Sequence, residues 1–105
     1  MKTSIGFDPF RPREGAALAI YDAFQAEAAK RKTRPGLTWI ETERDAVHAA
    51  AAEQARHHGW PAPSLQLIER AEISARGHCD YGSKWAHYIV DAMRREAAQR
   101  DQVAA

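Results

Sequence analysis

The sequence predicts an all-α protein: a small single-domain bundle of about four helices with an extended N-terminal arm. Three observations lead there. Apolar residues recur at three- and four-residue spacing in several segments, the pattern of a helix with one buried face. Alanine supplies 22 of the 105 residues, and it is the best helix former because it loses no side-chain entropy. No segment alternates apolar and polar residues with period two, so nothing reads as a strand. A chain of this length fits one domain with one modest core.

Residues 1–13 contain Pro9 and Pro12 and show no period; they read as the arm. The bundle domain follows over 14–100. Its first helix is expected over 14–33, with Ala17, Ile20, Tyr21, Phe24 and Ala28 on one face. The basic run Lys30-Arg31-Lys32-Thr33-Arg34 suits the carbonyl end of the helix dipole, and Pro35-Gly36 stops the helix.

The second helix is expected over 38–58, capped by Thr38 or Thr42, the latter with Asp45 three residues on as a loose capping box. Ile40, Val47, Ala50 and Ala51 face one way with Gln54 and His58, while Asp45, Glu53 and Arg56 face the other. This apolar face is thin and small-sided. Gly59 suits the position just past the helix end.

Trp60-Pro61-Ala62-Pro63-Ser64 reads as a rigid connector whose serine caps a third helix over 64–76. Leu67, Ile68, Ala71 and Ala75 form its stripe, and Gly77 ends it. The fourth helix starts at Asp80 or Ser83 and runs to about Gln99 by its periodicity. Tyr81, Trp85, Tyr88, Ile89, Ala92 and Met93 share one face; Asp80, Lys84, His87, Asp91, Arg94 and Arg95 share the other. Residues 101–105 are expected to fray.

Charge narrows the function classes. Lys plus Arg is 15 against Asp plus Glu 14, so there is no global attraction to nucleic acid or to a membrane, and any electrostatic recognition must be local. The single cysteine, Cys79, forms no intrachain disulfide. The first fifteen residues lack the apolar core of a signal peptide, and no apolar run has the length of a membrane span. A cytoplasmic protein that does not engage membranes is the expectation.

The stretch Gly77–Tyr88 gathers His78, Cys79, Asp80, Tyr81, Lys84 and His87, the side-chain types of an active or metal site. Helical geometry separates them. At about 100° per residue, His87 lies about 200° from Trp85, among the charged residues. Structural zinc needs four ligands at short paired spacings, whereas the histidines here stand at 48, 57, 58, 78 and 87 with one cysteine. A nucleophilic Cys79 needs a base turned toward it, and its sequence neighbour His78 is poorly placed for that. No nucleotide-binding, hydrolase or zinc-protease motif occurs. The segment therefore reads as a loop and helix start, and no catalytic residue, metal or cofactor is expected.

Ala55, Gly59, Trp60, Leu65 and Ile68 hold the spacing of a small residue, a turn glycine and later apolar positions. That spacing resembles the helix-turn-helix. The resemblance implies that the second helix supports and residues 62–71 enter a DNA major groove. Ser64, Gln66 and Arg70 would then read bases, with Lys30, Arg31, Lys32 and Arg34 as a phosphate-binding cluster. Gln54 and His58 depart from the pattern, Pro61 and Pro63 stiffen the turn, and Glu69 and Glu72 would face phosphates.

Three tryptophans and three tyrosines are many rings for so small a core. Trp39 and Trp85 fit the core. Tryptophan, tyrosine and arginine dominate interface hot spots, so Trp60, Tyr81, Lys84, Tyr88, Arg94 and Arg95 are the expected partner-binding set. The sequence thus points to a non-enzymatic protein that binds another protein as a regulator or inhibitor. Accessory proteins of phages and mobile elements are often of this kind. DNA binding is the alternative. In a self-associating variant, the alanine face of the second helix packs on a second copy.

Overall fold

The computed structural model of the chain describes residues 15–30, 39–77 and 84–104. It is a small all-α bundle of four helices: α1 Gly15–Ala28, α2 Glu41–His58, α3 Leu65–Gly77 and α4 Lys84–Ala104. No strand occurs among the described residues. α1 packs most extensively on α2, and α3 on α4. The arm, the Thr38 cap and the segment 78–83 with His78, Cys79, Asp80 and Tyr81 lie outside the described residues, as do Arg31, Lys32 and Arg34.

The apolar stripes bury much as their periodicity requires. Ala16, Ala17, Ile20 and Tyr21 of α1, Val47, Ala51 and Ala55 of α2, Leu67, Ile68 and Ala71 of α3, and Trp85, Ile89 and Met93 of α4 meet in one core. Four rings fill its middle. Trp39 and Trp85 meet edge to face with centroids 4.8 Å apart. Phe24 lies 5.2 Å from Trp39 and 5.3 Å from Trp85, and Tyr21 lies 6.0 Å from Trp85. Such pairs contribute about 0.5–1.5 kcal/mol each beyond simple burial.

Helix ends differ from expectation in three places. α1 ends at Ala28 rather than near 33. Its last bonds tighten, with the Lys30 N–H donating to the Glu27 carbonyl at 3.1 Å, the shorter three-residue step that closes a helix. α2 starts at Glu41, not 38, and Thr42 is inside it rather than capping it. The cap is Ile40, whose N–H donates to the Glu43 carboxylate at 3.0 Å. This is half of a capping box, since isoleucine has no acceptor with which to answer. The capping position also explains why Ile40 is 45% exposed instead of lying on the buried stripe. α4 continues to Ala104, past the expected end near Gln99.

The middle of the α2 stripe is turned into the bundle. Val47 and Ala51 are fully buried and Ala55 nearly so. These residues pack toward α1, α3 and α4, while Ile40, Ala50, Gln54 and His58 of the same expected face are exposed or half-buried.

Candidate functional site

The site is built on how α2 ends. Gly59 adopts the left-handed conformation, φ 71°, which costs glycine nothing and other residues much. Its N–H donates to the Arg56 carbonyl, and the Trp60 N–H donates to the Ala55 carbonyl at 2.9 Å. That pair of bonds is the Schellman motif. The spacing Ala55, Gly59, Trp60, which resembles the helix-turn-helix, is thus also the spacing of a helix C-terminus. The motif fixes the Trp60 backbone, and two further bonds fix the connector after it. His48 Nε2 donates to the Pro63 carbonyl at 3.0 Å. Ser64 Oγ accepts the Leu67 N–H at 3.1 Å, capping α3 as the sequence suggests.

α4 supplies the other wall. Beyond Ala97 its stripe stops being apolar, and Arg100 stands on the continuation of that stripe. Its guanidinium donates to the Gly59 carbonyl at 2.9 Å, placing a cation at the carbonyl end of α2 where the dipole favours it. Arg94 lies to the flank, with its guanidinium carbon 5.6 Å from the Trp60 ring centroid. His58 stacks on the same indole at 4.3 Å and 13°. Trp60 is half-buried against the core, so one side of the ring is anchored and the rest is presented beside two exposed nitrogen-bearing side chains.

Two of the six expected partner-binding residues, Trp60 and Arg94, are brought together here. Tyr88 is partly buried and packs on the core. Lys84 and Arg95 are exposed on α4, and nothing joins either to Trp60; successive helical residues diverge by about 100°. Tyr81 lies outside the described residues. Sequence reasoning did not find His58 as the ring stacked on Trp60, or Arg100 as the donor to the Gly59 carbonyl. The signal available was local: a histidine two residues before the tryptophan, and an arginine on the stripe register of α4.

The alternative set is arranged differently. Ser64, Gln66 and Arg70 are exposed on or beside α3, but so are Leu65, at 51%, and Glu69. Leu65 is one of the apolar positions of the resemblance and would be buried in that motif. Six residues, 59–64, separate α2 from α3, against about three or four in a helix-turn-helix. Of the basic cluster only Lys30 is described, and it pairs with Glu27 at 2.9 Å.

Elsewhere, a shallow depression over α2 is lined by Glu53, Arg56 and His57, all from one helix and all exposed. Among the described residues no three His, Cys, Asp or Glu side chains stand where they could share a metal ion, and no helix is long and apolar enough to cross a membrane. His87 is exposed on α4, on the charged face, as its register requires. Compared with models of known protein families, with curated proteins and with solved structures, the chain matches none.

Proposed function

We propose that this is a non-enzymatic helical binding protein that docks onto another protein through the shelf formed by Trp60, His58 and Arg94. It would act in the cytoplasm as a regulator or inhibitor of the kind that phages and mobile elements carry. The observation that supports this is the placement of Trp60. A tryptophan held by a helix-capping motif, anchored on one side and flanked by a guanidinium, has already lost the side-chain freedom that binding would otherwise have to freeze. Tryptophan and arginine are also the residue types on which interface affinity concentrates.

The test is an affinity pull-down from host lysate with the wild-type chain and with Trp60→Ala and Arg94→Ala, each divided and half treated with nuclease. A discrete protein retained after nuclease by the wild type, and lost from both variants at unchanged helix content, is the expected result. Equal recovery by wild type and variants would remove the shelf from the function. Recovery that vanishes with nuclease would transfer the function to nucleic acid and to Ser64, Gln66, Arg70 and the 30–34 cluster.

A further inference from the structure

The large apolar side chains left on the surface gather on α3. Among the described residues they are Ile40, Leu65 and Ile73. Leu65 and Ile73 stand on α3 itself, and Ile40 adjoins Trp39, which Glu72 of α3 holds. The inner face of α3 is taken: Leu67, Ile68, Ala71 and Glu72 are buried, and the helix packs against α4 and α2. The exposed residues lie on the opposite side, in two rows. Leu65, Glu69 and Ile73 are four apart and form one slanted ridge, with Leu65 and Ile73 about 12 Å apart along the axis. Gln66, Arg70 and Ser74 form the next ridge, the first two exposed and the third half-buried. Glu69 and Arg70 thus stand on either side of one outward groove. Neither has an ion pair or a side-chain hydrogen bond among the described residues.

We infer that this face receives a second copy of the chain, with α3 packed on α3 in the antiparallel sense about a two-fold axis beside Glu69. In the commonest class of helix packing, a ridge of four-residue spacing on each helix lies in the matching groove of the other. A two-fold contact must be self-complementary, and this face is. Residues 65 and 73 are equally far from 69, so Leu65 of each copy comes to the Ile73 end of the other. The ridge of each copy enters the groove between ridges of the other, which sets Glu69 of each beside Arg70 of the other. The face carries one acid and one base and so has no net charge. A nucleic acid or an acidic segment finds nothing here to answer it, whereas a reversed copy of the same face does.

The contact is small. One helix about 20 Å long covers well under the ~800 Å² per partner of a stable complex. Association is therefore weak, with a Kd on the order of 100 µM. In the dilute solutions of an unfolding measurement the chain is a single copy, and Ile73 contributes little to its stability.

The test is sedimentation equilibrium of the full chain from about 10 µM to about 1 mM, with circular dichroism to verify helix content in every variant. The wild-type mass should rise from one chain toward two. Glu69→Arg and Arg70→Glu each place like charges across the axis and should weaken association by more than about tenfold. Mixed in equal amounts, the two single variants should associate with each other, because each then supplies the charges the other lacks. The double variant Glu69→Arg/Arg70→Glu should associate as the wild type does, and Ile73→Ser should weaken association by about tenfold or more. A wild-type mass of one chain at about 1 mM would overturn the inference and leave the face to a different protein. Single charge variants that associate like the wild type, or a mixture of the two that stays as single chains, would overturn it as well. A dimer that Trp60→Ala abolishes and both charge variants retain would overturn it by placing the second copy on the Trp60 shelf.

Discussion

The Glu72 carboxylate accepts the backbone N–H of Trp39 at 3.1 Å, from thirty-three positions further along the chain. Its other oxygen accepts from Arg44 Nε at 3.2 Å. One buried acid on α3 therefore holds both the segment entering α2 and the first turn of α2 itself, and it seats Trp39 beside Trp85. With both carboxylate oxygens engaged, burying this charge is tolerable.

Replacing Glu72 with alanine leaves the buried Trp39 N–H without an acceptor. The expected loss is about 2–3 kcal/mol, read as a lower urea midpoint at unchanged slope. Glu72→Gln keeps an acceptor for Trp39 while giving up the charge and should lose roughly half as much. Equal losses in the two variants would mean that Arg44, not Trp39, is the partner that matters.

Glu43 acts over a shorter range. It is fully buried and accepts the Ile40 N–H at the start of α2. Glu43→Ala should destabilise by about 1–2 kcal/mol, as loss of a helix cap does, and amide exchange should quicken first at residues 40–43. Uniform acceleration across α2 would argue against a capping role.

Gly59→Ala isolates backbone strain. An added Cβ at Gly59 would meet nothing within 4 Å, so the cost comes from the left-handed φ alone, about 1 kcal/mol. In a domain of this size that corresponds to a melting temperature lower by about 4–8 °C. An unchanged melting temperature would show that α2 does not end in the Schellman motif.

Two isoleucines on α3 make a matched pair. Ile68 is fully buried and Ile73 is 59% exposed. Ile68→Ala should lose about 3 kcal/mol through the cavity it leaves, while Ile73→Ala should stay within about 0.5 kcal/mol. A large loss at Ile73, or one that depends on protein concentration, would show that its face is covered in solution.

The parts of the fold legible in the sequence were those governed by nearest neighbours along a helix. The stripes of α3 and α4, the serine cap at Ser64 and the glycine stop at Gly59 each depend on residues within one or two turns. Glu72 and Glu43 were not found because their value lies in distant or buried partners. The available hint was position: Glu72 stands on the stripe of Ile68 and Ala71, and Glu43 four residues before Val47, both odd places for an acid. At the shelf, Trp60 and Arg94 were legible as residue types, but their pairing was not, because it depends on where the middle of α4 passes the end of α2. The small residue, glycine and apolar residue that resemble a helix-turn-helix are also those that cap a helix and turn into the next one.

The edge-to-face meeting of Trp39 and Trp85 at 4.8 Å also has an optical consequence. Two indoles this close and this inclined couple their electronic transitions, so the folded protein should show a paired positive and negative band in far-ultraviolet circular dichroism, superimposed on the helical signal. That band vanishes when the two rings separate, even if the helices persist. Trp60 stands outside the pair and half in water, so its emission reports on the shelf. The three tryptophans thus divide into a spectroscopic gauge of the interior and a separate one of the surface, both readable without a label.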